Sequence, residues 1–192
     1  ASTRAVDLIS SDDPDSLACT SRWRIPAERL RDPVMIVVPS PWEVVTESTA
    51  TGGTIDVDRT PNGQWNVTVA RGGMAPETVV KLSLRVQRAA LNDGVLPLPQ
   101  AAGEWREHLT HWVAEWTRLP QSPLLDKDAL LPAAASPPDW DTGEWQMPAL
   151  TETDRLQWFK LPADRSTVQL STTPAEQSVE ISWLEQVLWN AG

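Results

Sequence analysis

The sequence predicts an α+β domain: an antiparallel sheet of four to six strands covered by two amphipathic helices, with an N-terminal arm and a Pro-rich strap. Three observations predict it. Apolar and polar residues alternate strictly around Ile55–Val57, Trp65–Val69 and Val80–Val86, apolar residues recur at a helical period after Ala101, and a capping signature precedes Val179. A chain of 192 residues suits one domain of this kind.

Residues 1–22 group Asp12, Asp13 and Asp15 around Pro14 and hold few apolar side chains, so a flexible acidic arm is expected. Residues 23–118 form the expected sheet-plus-helix core. Pro26-Ala27-Glu28-Arg29-Leu30 starts with a proline suited to a first helical position, and Asp32-Pro33 ends that turn. Val34–Val38, rich in β-branched residues between Pro33 and Pro39, reads as a strand buried on both faces, and Trp42–Glu47 as the next. Thr54–Thr60 and Trp65–Ala70 flank Pro61-Asn62-Gly63-Gln64, where Asn-Gly predicts a tight hairpin turn with both residues at positive φ. Ile55, Val57, Trp65, Val67 and Val69 then share the core face, with Asp56, Asp58, Asn66 and Thr68 on the other. Thr78–Gln87 alternates as a strand should, although Pro76-Glu77 is also a helix opening. Asn92-Asp93-Gly94 is a turn, and the stretch through Pro97 and Pro99 is extended.

From Ala101 to Arg118 the residues Trp105, Leu109, Trp112, Val113 and Trp116 follow helical offsets and predict the first amphipathic helix. Residues 119–150 hold six of the seventeen prolines and form the strap or linker. Residues 151–192 complete the same domain with strands at Arg155–Leu161 and Ser166–Thr172. A capping box at Thr173-Pro174-Ala175-Glu176 opens the second helix, which carries Val179, Trp183, Leu184, Val187 and Leu188. A strand through Val179, Ile181 and Trp183 is the rival reading.

Composition narrows function by exclusion. With 16 Lys and Arg against 26 Asp and Glu, the net charge of -10 argues against nucleic acid and anionic membrane as partners. The longest apolar run, Val34–Val38, is far too short to insert in a bilayer, so a soluble chain is expected. No basic and apolar leader opens the sequence at Ala1, and the single Cys19 has no intramolecular disulfide partner, which favours a reducing compartment without naming one. Thr51-Gly52-Gly53-Thr54 and Arg71-Gly72-Gly73-Met74 lack the residues of phosphate or dinucleotide loops, so these glycines read as turn residues and no cofactor is expected. No Gly-x-Ser-x-Gly elbow accompanies the histidines, which leans the reading away from an enzyme.

Eleven Trp, one Phe and no Tyr form the most unusual feature. Trp105, Trp112, Trp116 and Trp183 are expected in the core. Trp140 and Trp145, among acidic residues of the strap, and Trp189 near the C-terminus read as partner-binding anchors. The resulting expectation is a noncatalytic structural or adaptor subunit of a larger assembly, binding protein partners through extended segments and Trp anchors. Two alternatives stand beside it. One is a carbohydrate-binding module using Trp42 or Trp65 with Asp56, Asp58 and Asn66. The other is a small metal-dependent hydrolase using the helical stripe Glu104, His108, His111 and Glu115 as metal ligands.

Overall fold

A computed structural model describes residues 2–118, 121, 123–126, 130–132, 151–162 and 164–171. Among the described residues the fold is nearly all β, with no helix of seven or more residues, so the expected α+β architecture is corrected. The C-terminal helix expected from Thr173 onward lies outside the described residues, as does most of the expected strap.

The expected arm forms the centre of the main sheet. β1 (Thr3–Asp13) and β2 (Ser16–Pro26) make an antiparallel hairpin. Asp13 Oδ1 closes its turn by accepting the backbone N–H groups of Asp15 and Ser16, each at 2.8 Å. These strands hide from a periodicity search because both their faces are buried: Ala5, Ile9, Leu17, Cys19, Trp23 and Ile25 point one way, Val6 and Leu8 the other.

The next elements are a 3-10 turn at Ala27–Arg29, β3 (Val34–Val38), β4 (Glu43–Val44), β5 (Thr49–Thr51), β6 (Gly53–Arg59), β7 (Trp65–Arg71) and β8 (Glu77–Gln87). The alternating segments thus fold as strands, while Trp42–Glu47 yields only the two residues of β4. The β6–β7 loop is Pro61-Asn62-Gly63, with Gly63 at φ 82°, Gly63 N–H donating to Thr60 O and Thr60 N–H to Gln64 O. Those bonds describe a type I turn with a glycine bulge, so only Gly63 needs positive φ, where the tight two-residue turn requires two such residues.

β9 (Val95–Pro97) and β10 (Gln100–Ala101) follow, then a 3-10 segment at Gly103–His108 and β11 (Leu109–Arg118). The first expected helix is therefore a strand. Leu109, Trp112, Val113 and Trp116 fit a helical stripe, but they equally fit a central strand buried on both faces, and Thr110, Val113, Thr117 and the Trp residues prefer that state. β12 (Leu131–Pro132), β13 (Asp154–Leu161) and β14 (Thr167–Gln169) complete the set.

The main sheet has eight strands in the order β12-β13-β11-β1-β2-β8-β4, with β5 also on β8. Among the described residues its one parallel pairing is β1 with β11. The second sheet runs β10-β3-β7-β6, and β9 pairs with β14. All three sheets feed one core, in which Trp23, Trp42, Ile36, Val69, Leu82, Leu96, Phe159 and Val168 are buried together. The chain passes from main to second sheet at Gly52-Gly53, where Gly52 has φ 75° and a Cβ on Gly53 would lie 2.5 Å from Ala70 O. Only glycine allows so close an approach of two strands.

Candidate functional site

Strand alternation divides the main sheet into an inner face, packed on the second sheet, and an outer face. The inner face carries buried polar groups as well as the core. Fully buried Asp7 on β1 pairs across the sheet with His111 on β11, the imidazole Nε2 lying 2.6 Å from Asp7 Oδ2. The Trp23 ring lies 6.1 Å from the imidazole, and its indole N–H donates to buried Ser21 Oγ at 2.9 Å. Glu115 is also buried, and its Oε2 accepts the N–H groups of Leu124 and Leu125 at 2.8 and 2.6 Å. These groups act as internal struts, tying strands and a loop to the sheet. Cys19, expected in a mobile arm, is buried on the same face, and burial pushes its thiol pKa well above the ordinary value.

The proposed metal stripe loses its geometry with its helix. Glu104 and His108 belong to the 3-10 segment, and His108 is exposed. His111 and Glu115 share a face of β11, but four residues of strand separate them by roughly 13 Å, and each is engaged elsewhere. Among the described residues no group of three or more His, Cys, Asp or Glu is arranged to hold a metal ion. The glycan platform does not form either. Trp42 is fully buried, its indole N–H donating to Pro97 O at 2.6 Å. Trp65 turns inward to donate to Trp42 O at 3.0 Å, and Asp56, Asp58 and Asn66 lie on the opposite face of their hairpin. Trp140, Trp145 and Trp189 lie outside the described residues.

The outer face is the feature sequence reading missed. Paired register aligns Lys81, Arg22, Val6, Trp112 and Lys160 across five strands in one row. On one side runs the row Ser83, Thr20, Leu8, Ala114, Trp158, followed by Arg85, Ala18, Ser10, Trp116, Leu156; on the other runs Val79, Arg24, Arg4, Thr110. Val6, Leu8, Trp112 and Ala114 are buried yet stand outside the inner core cluster. Trp112 and Trp116, expected in that core, belong to this second face. Arg22 is so desolvated that its pKa is lowered to about 10. Arg24 makes a two-pronged ion pair with Glu77, Nε lying 3.2 Å from Oε2 and Nη2 contacting Oε1. At one end Arg118 stacks 5.8 Å from the Trp116 ring and donates to Asp154 at 3.1 Å, beside a small cavity reached also by Ser10, Ser11 and Gln121. Asp154 is held below the usual carboxylate range, first by the Thr151 backbone N–H. The sequence signal for this face was Arg22-Trp23-Arg24-Ile25, whose alternation sends Trp23 and Ile25 to the core and both cations outward.

No described helix is long and apolar enough to cross a membrane. No protein-family model matches the sequence, and no curated protein matches it. Among solved structures, native yeast LTA4 hydrolase is similar at 8% identity and a TM-score of 0.49, over 91% of this chain and 30% of that one. Yeast LTA4 hydrolase in complex with Bestatin is similar at 9% identity and a TM-score of 0.46, over 91% and 29%. Native leukotriene A4 hydrolase from Saccharomyces cerevisiae is similar at 9% identity and 0.44, over 90% and 29%. This chain therefore spans about 30% of the length of those structures. The likeness assigns neither family nor activity.

Proposed function

We propose that this chain is a noncatalytic structural or adaptor subunit of a larger assembly, joined to protein partners through the outer face of its main sheet. The observation that carries the reading is the half-buried apolar rim of this face, Trp116, Leu156 and Trp158, beside the row Val6, Leu8, Trp112 and Ala114 that the chain itself already covers. Trp, a residue type that concentrates at interface hot spots, recurs on this rim at Trp116 and Trp158. The buried ionisable groups of the inner face serve the fold: Asp7 with His111, and Glu115 with two backbone amides. Trp140, Trp145 and Trp189 remain proposed as further anchors.

The test is native mass spectrometry of the tagged chain isolated from its source, comparing the parent with Trp158→Ala and with Trp140→Ala/Trp145→Ala. A partner at fixed stoichiometry, lost when Trp158 is truncated, is expected. A monomer in every case would remove the proposal.

A further inference from the structure

We propose that the free edge of β6 is a second docking site, where an extended partner segment that alternates apolar with basic residues adds as a strand. It lies on a different surface from the outer face of the main sheet and goes beyond that reading. Among the described residues β6 ends the second sheet, and it pairs with β7 in an unbroken register from Gly53↔Arg71 to Arg59↔Trp65. The loop bond from Thr60 N–H to Gln64 O, at 2.8 Å, fixes the phase of that ladder, so Thr54, Asp56 and Asp58 exchange backbone hydrogen bonds with β7. Ile55 and Val57 therefore send their N–H and C=O groups to the opposite side, where no described strand pairs with them. Proline, lysine and bulges, which commonly blunt an exposed edge, are absent from Gly53–Arg59.

The side chains specify the occupant. Ile55 and Val57 pack against the core yet stay half-buried, so a strand added beside them, apolar on that face, completes their burial. Asp56 and Asp58 stand exposed on the other face, and no described residue pairs with either carboxylate. Side chains of an added strand come directly opposite them, where Lys or Arg stabilises the pairing and Asp or Glu opposes it. The same charges disfavour a second copy of this chain, because antiparallel pairing of Val57 with Val57, or of Val57 with Ile55, sets Asp against Asp. The Arg59 ion pair with Glu43, at 2.7 Å, bounds the open edge at one end, and Gly53, backed onto Thr78, bounds it at the other. Trp65 sits one strand further in, 5.2 Å from the Arg59 guanidinium, and is not part of the site.

The experiment uses the full chain and a short fluorescent peptide that alternates valine with lysine, followed by anisotropy and by hydrogen exchange. Its comparison probes are the same peptide with glutamate in place of lysine, and a copy N-methylated along one edge, which keeps the charge but cannot pair its backbone. The Ile55 and Val57 amides are expected to exchange fast in the free chain and to become protected when the peptide binds. Binding should weaken about tenfold in Asp56→Lys/Asp58→Lys, its fold checked by circular dichroism, and should be lost with the N-methylated copy. Any of four results would overturn the proposal: no binding, equal binding of either comparison probe, binding unchanged by the double reversal, or protection of the Ile55 and Val57 amides in the free chain, which would show the edge already occupied. Trp158→Ala, on the other surface, should leave peptide binding unchanged, so this proposal and the assembly reading fail separately.

Discussion

Replacing Glu115 by Ala should unfasten one edge of the domain. Glu115 Oε2 accepts both the Leu124 and Leu125 N–H groups, and both leucines are buried. The same short segment holds the β14 region, because Leu125 bridges Leu170, Asp126 N–H donates to Gln169 O at 2.8 Å, and Ser171 N–H to Leu124 O at 2.8 Å. Each buried amide left without an acceptor costs about 1–3 kcal/mol. Two such losses, less the desolvation of the carboxylate itself, leave a net destabilisation of about 2–4 kcal/mol. For a chain of this size that lowers the melting temperature by roughly 4–16 °C. Glu115→Gln keeps an acceptor oxygen but gives up its charge, so it should cost only about 1 kcal/mol. Urea unfolding followed by Trp fluorescence gives the free energies, and hydrogen exchange locates them at Leu124, Leu125 and Val168–Ser171. A Glu115→Ala variant within about 0.5 kcal/mol of the parent would refute the strut, since that is the range of an ordinary surface change.

Three further outcomes follow from the same structure. His111→Ala should destabilise by about 3–5 kcal/mol, because it strands the buried Asp7 carboxylate; a double-mutant cycle with Asp7→Ala that proves additive would disprove the pairing. Cys19 should resist alkylation in the folded state and react on unfolding. Its pKa is raised by burial, so the stability it contributes is complete below the unfolded thiol value of about 8.5 and is lost as pH rises above it. The pH dependence of the difference between parent and Cys19→Ala reads this directly, and a flat difference between pH 7 and 10 would contradict it. Gly53→Ala should cost about 1–3 kcal/mol, as its Cβ meets Ala70 O and the Thr78 side chain within 2.7 Å; an unchanged melting temperature would show that the sheet corner is looser than described.

Legibility in the sequence followed one physical distinction, whether a strand is buried on one face or on two. β6, β7 and β8 alternate because one side of each meets the core, and β3 is short, apolar and bracketed by prolines; these four were readable as strands, although β3 is buried on one face only, with Met35 exposed on the other. β1, β2 and β11 lie in the middle of the sheet, so alternation disappears from β1 and β11 and survives in β2 only at Arg22-Trp23-Arg24-Ile25. Their polar residues misled further: Asp7, Ser21, His111 and Glu115 read as solvent-facing but are buried with partners. The spacing of Leu109, Trp112, Val113 and Trp116 satisfied two templates at once, and residue type was the observation that distinguishes them. With that helix went the metal stripe, because residues adjacent at four-residue intervals on a helix are far apart on a strand. The outer face was illegible for a different reason. Its rows combine residues from five separate strands, and only the register brings Lys81, Arg22, Val6, Trp112 and Lys160 together.

The most direct test of the central claim is hydroxyl-radical footprinting of the chain, alone and in its native assembly, read residue by residue at the tryptophans. An interface on the outer face predicts strong protection of Trp116 and Trp158 on assembly, with Trp65 on the second sheet unchanged. Equal oxidation of Trp116 and Trp158 in the two states would contradict it.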